Sequence, residues 1–190
     1  MKFIKYALLS LLLTGCATFD GEVITDFNDR SVLYGWLNID DVDANRLHSV
    51  IVYQYQPKID KPYFHVKVVE FQGGYLYYSF AFPNGAFGLY SAEGQFCKLL
   101  CSNKVYSYEF GKQGDDYAKA RVTEPGLYNL GNFRLVEVDT GLFEQGKFEI
   151  LPETNNAPSN YDMLKEMLKD AENKPAIKAR LEAAIRAHEI

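Results

Sequence analysis

Cysteine is scarce in this chain, with residues at positions 16, 97 and 101 alone. A disulfide-dense mini-scaffold is therefore excluded, and so is a four-cysteine zinc site. Histidine is equally sparse: His48, His65 and His188. No G-x-S-x-G elbow accompanies them, so a Ser-His-Asp hydrolase has no support. Phosphate loops, dinucleotide fingerprints and zinc-ligand spacings are missing as well. Positive charge is short, since 20 Lys and Arg face 25 Asp and Glu, a formal net charge of -5. Without a basic excess or a basic cluster along the chain, neither nucleic acid nor electrostatic docking on anionic lipid is expected. No apolar run approaches the roughly 20 residues of a membrane-spanning helix. Repeats of fixed period are not evident.

What is present begins at the first residues, MKFIKYALLSLLLTGC. Lys2 and Lys5 give a basic start, residues 7–13 are an apolar run broken only by Ser10, and small residues precede a cysteine. That order is an export signal. Leu13, Thr14, Gly15 and Cys16 resemble the lipobox of bacterial lipoproteins. The resemblance implies cleavage after residue 15 and acylation of Cys16 as the first mature residue. Ala17, where an Asp would favour retention at the inner membrane, implies by the same resemblance an outer-membrane location facing the periplasm. Several acyl chains on one cysteine would make the anchor permanent, at about 0.8 kcal/mol per buried methylene.

The remaining cysteines, Cys97 and Cys101, form an even pair in what is then an oxidising compartment, which favours a disulfide. Bridging needs Cα atoms within about 7 Å, whereas four residues of strand span about 13 Å. Residues 96–102 are thus expected in a turn. A redox dithiol, making the chain a thiol oxidoreductase, is the alternative, although the spacing is not C-x-x-C.

Residues 17–30 read as a polar tether that holds the domain off the membrane. From residue 31 the chain turns β-rich. Strands are expected at 31–39, 48–55, 63–71, 75–82, 87–90, 105–110, 117–123, 127–130, 133–139 and 147–151. Gly73-Gly74 suits a tight hairpin. In YLYYSFAF, alternation assigns Leu76, Tyr78, Phe80 and Phe82 to the core and Tyr75, Tyr77, Ser79 and Ala81 to the other face. Hydrophobic residues are 47% of the chain, enough for one core. The spacing predicts a mainly β fold: a single β-sandwich over 31–151 of about seven to nine strands, followed by a helical segment over 159–190. FAFPNGAFGL (80–89) and EPGLYNL (124–130) resemble the turn-strand units of prealbumin-like, carboxypeptidase-regulatory-like sandwich domains. Such domains imply a non-catalytic module. An immunoglobulin-like sandwich of another topology reads similarly.

The helical segment opens with Ser159 as cap and Asp162 in the first turn, and Pro175 starts a second helix. Leu164, Met167 and Leu168, then Ile177, Leu181 and Ile185, recur at helical spacing. This face is either core or a docking surface for an envelope protein partner. Aromatics reach 15%. Tyr53, Tyr55, Tyr75 and Tyr77 are therefore candidates for a sugar-stacking face near the cell wall. Asp41-Val42-Asp43-Ala44-Asn45 opens like a calcium loop, but Arg46 and Val52 stand where glycine and a bidentate Glu belong. A looser site from Asp40, Asp41 and Asp43 is the remaining metal candidate. No cofactor is expected. The sequence thus points to a lipid-anchored, non-enzymatic binding or scaffolding module of the cell envelope, with glycan binding as its rival.

Overall fold

A computed structural model describes residues 18–19, 22–41, 46–96, 104–109, 119–138 and 147–189. Short pairs β1 (Thr18–Phe19) and β2 (Glu22–Val23) bond to each other. The main strands follow: β3 (Ser31–Asp41), β4 (Arg46–Gln56), β5 (Tyr63–Phe71), β6 (Gly74–Phe82), β7 (Gly85–Phe96) and β8 (Lys104–Glu109). β9 (Lys119–Val122), β10 (Leu127–Val138) and β11 (Lys147–Pro152) complete them, and helices α1 (Asn160–Leu168) and α2 (Pro175–His188) close the described chain. The order is β11-β10-β3-β6-β5-β4-β7-β8, with β9 also on β7. β10 runs parallel to β3, and the other pairings are antiparallel.

The mainly β reading with two C-terminal helices holds. The two facing sheets of a sandwich are replaced by one curled sheet. β5 bonds both β6 and β4, so the ladder is unbroken from β11 to β8. The curl brings β9 back within 8 Å of β10 between Cα atoms, a half-barrel. Its concave side is filled by the sheet's own side chains, among them Leu33, Leu37, Val52, Tyr77, Phe87 and Leu135. Phe64, Phe82 and Phe87 meet there edge to face, 5.0 to 6.3 Å between centroids.

The convex side of β3 and β6 is covered by the helices. Val32, Tyr34, Trp36, Leu76, Tyr78 and Phe80 pack on Met163, Leu164, Met167, Ile177 and Leu181. β3 and β6 are therefore buried on both faces, which is why their sequences are nearly continuous apolar runs. The expected division of β6 into core and outer faces fails for this reason. Phe82 also changes side: between the pairs Leu33–Ser79 and Ser31–Phe82, β6 carries one extra residue. Such a bulge inverts the alternation, and Phe82 joins the concave core.

Local chemistry fixes the corners. The β5–β6 loop is Gln72-Gly73, both at positive φ, 45° and 73°, as a two-residue hairpin turn requires. Gly74 already belongs to the strand; a Cβ there would overlap the Trp36 indole, whose Nε1 donates to the Phe71 carbonyl at 2.8 Å. Ser159 caps α1 by accepting from the Asp162 amide at 3.1 Å, and Pro175 occupies the first turn of α2.

The expected tether is shorter than residues 17–30. Phe27 is buried and Ile24 packs against the helix-covered core. Arg180 of α2 donates to the backbone carbonyls of Phe27, Asn28 and Arg30.

Candidate functional site

The helix pair leaves the outer face of β4, of the first half of β5 and of β7 uncovered among the described residues. Strand alternation sends Val50, Val52 and Gln54 inward and Ile51, Tyr53 and Tyr55 outward. Register then assembles the site. Tyr53 pairs with Tyr63 of β5 on one side and with Gly88 of β7 on the other. Glycine offers no side chain, so the Tyr53 ring has open ground toward β7. Tyr90 lies beside a register shift of β7 between Leu89 and Ser91, and its ring completes the cluster.

Four tyrosines thus share one face. Tyr53 lies 4.8 Å from Tyr55, 5.2 Å from Tyr63 and 6.1 Å from Tyr90, centroid to centroid. Tyr63 and Tyr90 are 4.8 Å apart. Tyr53 and Tyr90 are tilted by only 34°, while Tyr55 and Tyr63 stand at 69° and 61° to Tyr53. Tyr55 and Tyr63 are 38% and 49% exposed.

β9 borders this face. Ala120 and Val122 point inward, which leaves Lys119 and Arg121 outside, opposite Gly88 and Ala86. Lys119 Nζ sits 5.7 Å from the Tyr55 ring centroid. Tyr55, Gln56, Ala86, Lys119 and Arg121, together with the inward-facing Phe87 and Ala120, line a groove of about 290 Å³.

Of the tyrosines singled out from the sequence, Tyr53 and Tyr55 belong to this face. Tyr75 and Tyr77 do not: they are 9% and 1% exposed and lie in the concave core. Tyr77 donates to the Gly131 carbonyl at 3.1 Å, and burial pushes its phenol far above the usual value. Tyr63, Tyr90, Lys119 and Arg121 were missed. A hairpin centred on the 56–61 turn was the one signal that would have set Tyr63 opposite Tyr53.

The helix residues Leu164, Met167, Ile177 and Leu181 are fully buried, and Leu168 and Ile185 pack against the same core. Their docking role falls away, because the chain's own sheet occupies that face. Asp40 exchanges hydrogen bonds with Asn38, whereas Asp41 faces Arg134 at 3.3 Å. Neighbours on a strand diverge, so the two carboxylates do not converge on one ion. Among the described residues no group of three His, Cys, Asp or Glu is placed to hold a metal. Cys16, Cys97, Cys101 and Asp43 lie outside the described residues. His65 Nδ1 is 3.4 Å from Ser49 Oγ.

A second polar cluster joins helix to sheet. Asp170, just past α1, accepts from Lys67 of β5 and from the Tyr78 hydroxyl of β6. Burial pushes the Asp170 carboxyl up, but the Lys67 and Tyr78 donors and the nearby charge of Lys174 outweigh it and hold the group below its ordinary value. Tyr78 is raised in turn, by burial first and then by its bond to Asp170.

Among the described residues, no helix is long and apolar enough to cross a membrane. No family model, curated protein or solved structure matches the chain.

Proposed function

We propose that the chain is a non-enzymatic binding module of the bacterial cell envelope, tethered by acylated Cys16. Its working surface is the outer face of β4, β5 and β7, and its ligand is glycan. The observation that supports this reading is the gathering of Tyr53, Tyr55, Tyr63 and Tyr90 on a face that the helices leave open. A tyrosine ring offers a sugar a flat apolar face and a hydroxyl for hydrogen bonding. Tyr55 and Tyr63 are exposed, and Tyr53 and Tyr90 are half-buried beneath them.

Two measurements test the two halves. Labelling with radioactive palmitate should mark the protein, and Cys16→Ser should abolish the label. Full-length protein in detergent should be retained on purified peptidoglycan, with affinity lowered about tenfold or more in the Tyr55→Ala, Tyr63→Ala double variant. Each lost stacking contact is worth on the order of 1 kcal/mol, and about 1.4 kcal/mol is a factor of ten. Retention that is absent, or equal in the double variant, removes the glycan surface.

A further inference from the structure

Tyr55 is the extra residue of its strand. Gln54 pairs with Phe87 and Gln56 with Ala86, so β4 carries three residues where β7 carries two. A bulge of this kind leaves one residue without a ladder partner and re-aims its side chain. Gln54 stays buried while Tyr55 is exposed, so the bulge turns the ring out of the sheet.

What meets that ring comes from two strands away. Register lines up Tyr53, Gly88 and Lys119 in one row across β4, β7 and β9, and Gln56, Ala86 and Arg121 in the next. Neighbouring strands lie about 4.8 Å apart, which puts β9 about 10 Å from β4. A longer side chain on β7 would fill the space between them. Gly88 has none, and Ala86 has a single methyl. The Lys119 stem therefore reaches across β7, and its Nζ stands over the Tyr55 ring, 5.7 Å from the centroid. That is inside the roughly 6 Å range of a cation–π contact. Tyr53 meets the same ring at 4.8 Å and 69°. A ring with no ladder partner of its own is thus held by an aromatic neighbour on its strand and by a cation from another strand. The ammonium is engaged with the ring, so Lys119 acts on a ligand through Tyr55.

We propose that Lys119 is a positioning residue of the glycan face. It fixes the bulged Tyr55 ring in the orientation that a sugar meets, so the ring is ordered before the ligand arrives. This inference rests on the tyrosine face being a glycan surface, and it adds a residue that shapes the surface without touching the sugar.

The test measures binding isotherms of full-length protein in detergent on purified peptidoglycan. Lys119→Met keeps an unbranched apolar stem and removes the charge; it should lower affinity about threefold, the worth of an exposed cation–π contact. Lys119→Arg should restore wild-type affinity. In a Tyr55→Leu background, Lys119→Met should have no further effect, since the pair acts as one unit. Both side chains are exposed, and unchanged melting temperatures will show that the variants fold. A second measurement needs no ligand. The Lys119 side-chain protons nearest the ammonium should be shifted upfield in NMR spectra by the ring current of Tyr55, and Tyr55→Leu should abolish the shift. Absence of that shift overturns the positioning role. So does wild-type affinity in Lys119→Met, failure of Lys119→Arg to restore binding, or additive losses in the double variant, and each of these leaves the tyrosine surface standing. If the wild-type protein is not retained at all, the glycan reading falls and the positioning role falls with it.

Discussion

Tyr77 lies over Gly35 of β3, where a Cβ would overlap both the Tyr77 hydroxyl and the Gly131 carbonyl. Gly35→Ala must therefore push backbone apart, and should cost about 3 kcal/mol in chemical denaturation. Tyr77→Ala should cost about 3 to 5 kcal/mol, as expected for a buried ring, whereas Tyr63→Ala should stay within about 1 kcal/mol. Sequence alone did not separate these tyrosines. VYQY and YLYY both place rings at alternate positions, and only the helix cover over β6 makes one strand two-sided. Asp170 gives a pH signature. Its carboxyl is held below the unfolded value near 3.8, so its stabilisation is complete above that value and is lost as pH falls below it. The group is about one-third exposed, so its contribution is discounted for solvent to about 1 kcal/mol. Asp170→Asn should lower stability by that amount at pH 7 and narrow the gap to wild type below pH 4, read from urea melts across pH.

Elements with local chemistry were the legible ones. β5 spans Tyr63–Phe71 as expected, and both helices begin where Ser159 and Pro175 direct. The sequence of β10 predicts two strands, because Gly131 resembles a turn. It is instead a register shift inside one strand, with φ at 113° and the Asn129 side chain accepting from its amide. The sequence predicts only residues 87–90 for β7, which runs Gly85–Phe96, since its pairing with β4, β8 and β9 in turn extends it past its own propensity. The helix pair is the clearest energetic element. Met167→Ala should cost about 2 to 5 kcal/mol and, on the proposed glycan reading, should leave retention on peptidoglycan unchanged below the melting temperature. Loss of binding without loss of stability would return that face to a partner role.

At the scale of the molecule, strand spacing does not distinguish a sandwich from a curled sheet, since both need short strands and turns. The decision rests on long-range pairings such as β10 alongside β3, with Leu127 against Val32, and on the β6 bulge. The grouping of Tyr53 with Tyr63 and Tyr90 depends on the same long-range pairings. One feature of this arrangement is mechanical. Arg180 grips the carbonyls of Phe27, Asn28 and Arg30, and β3 beyond them is bonded on both edges, to β10 and β6. Tension applied from the N-terminal side would thus be borne first by a guanidinium clasp seated on α2 and then by a strand locked on both flanks. In single-molecule pulling from the N-terminal side, Arg180→Ala should weaken the first rupture and leave the later tearing of the sheet unchanged, because the clasp takes the load before the strand ladder does.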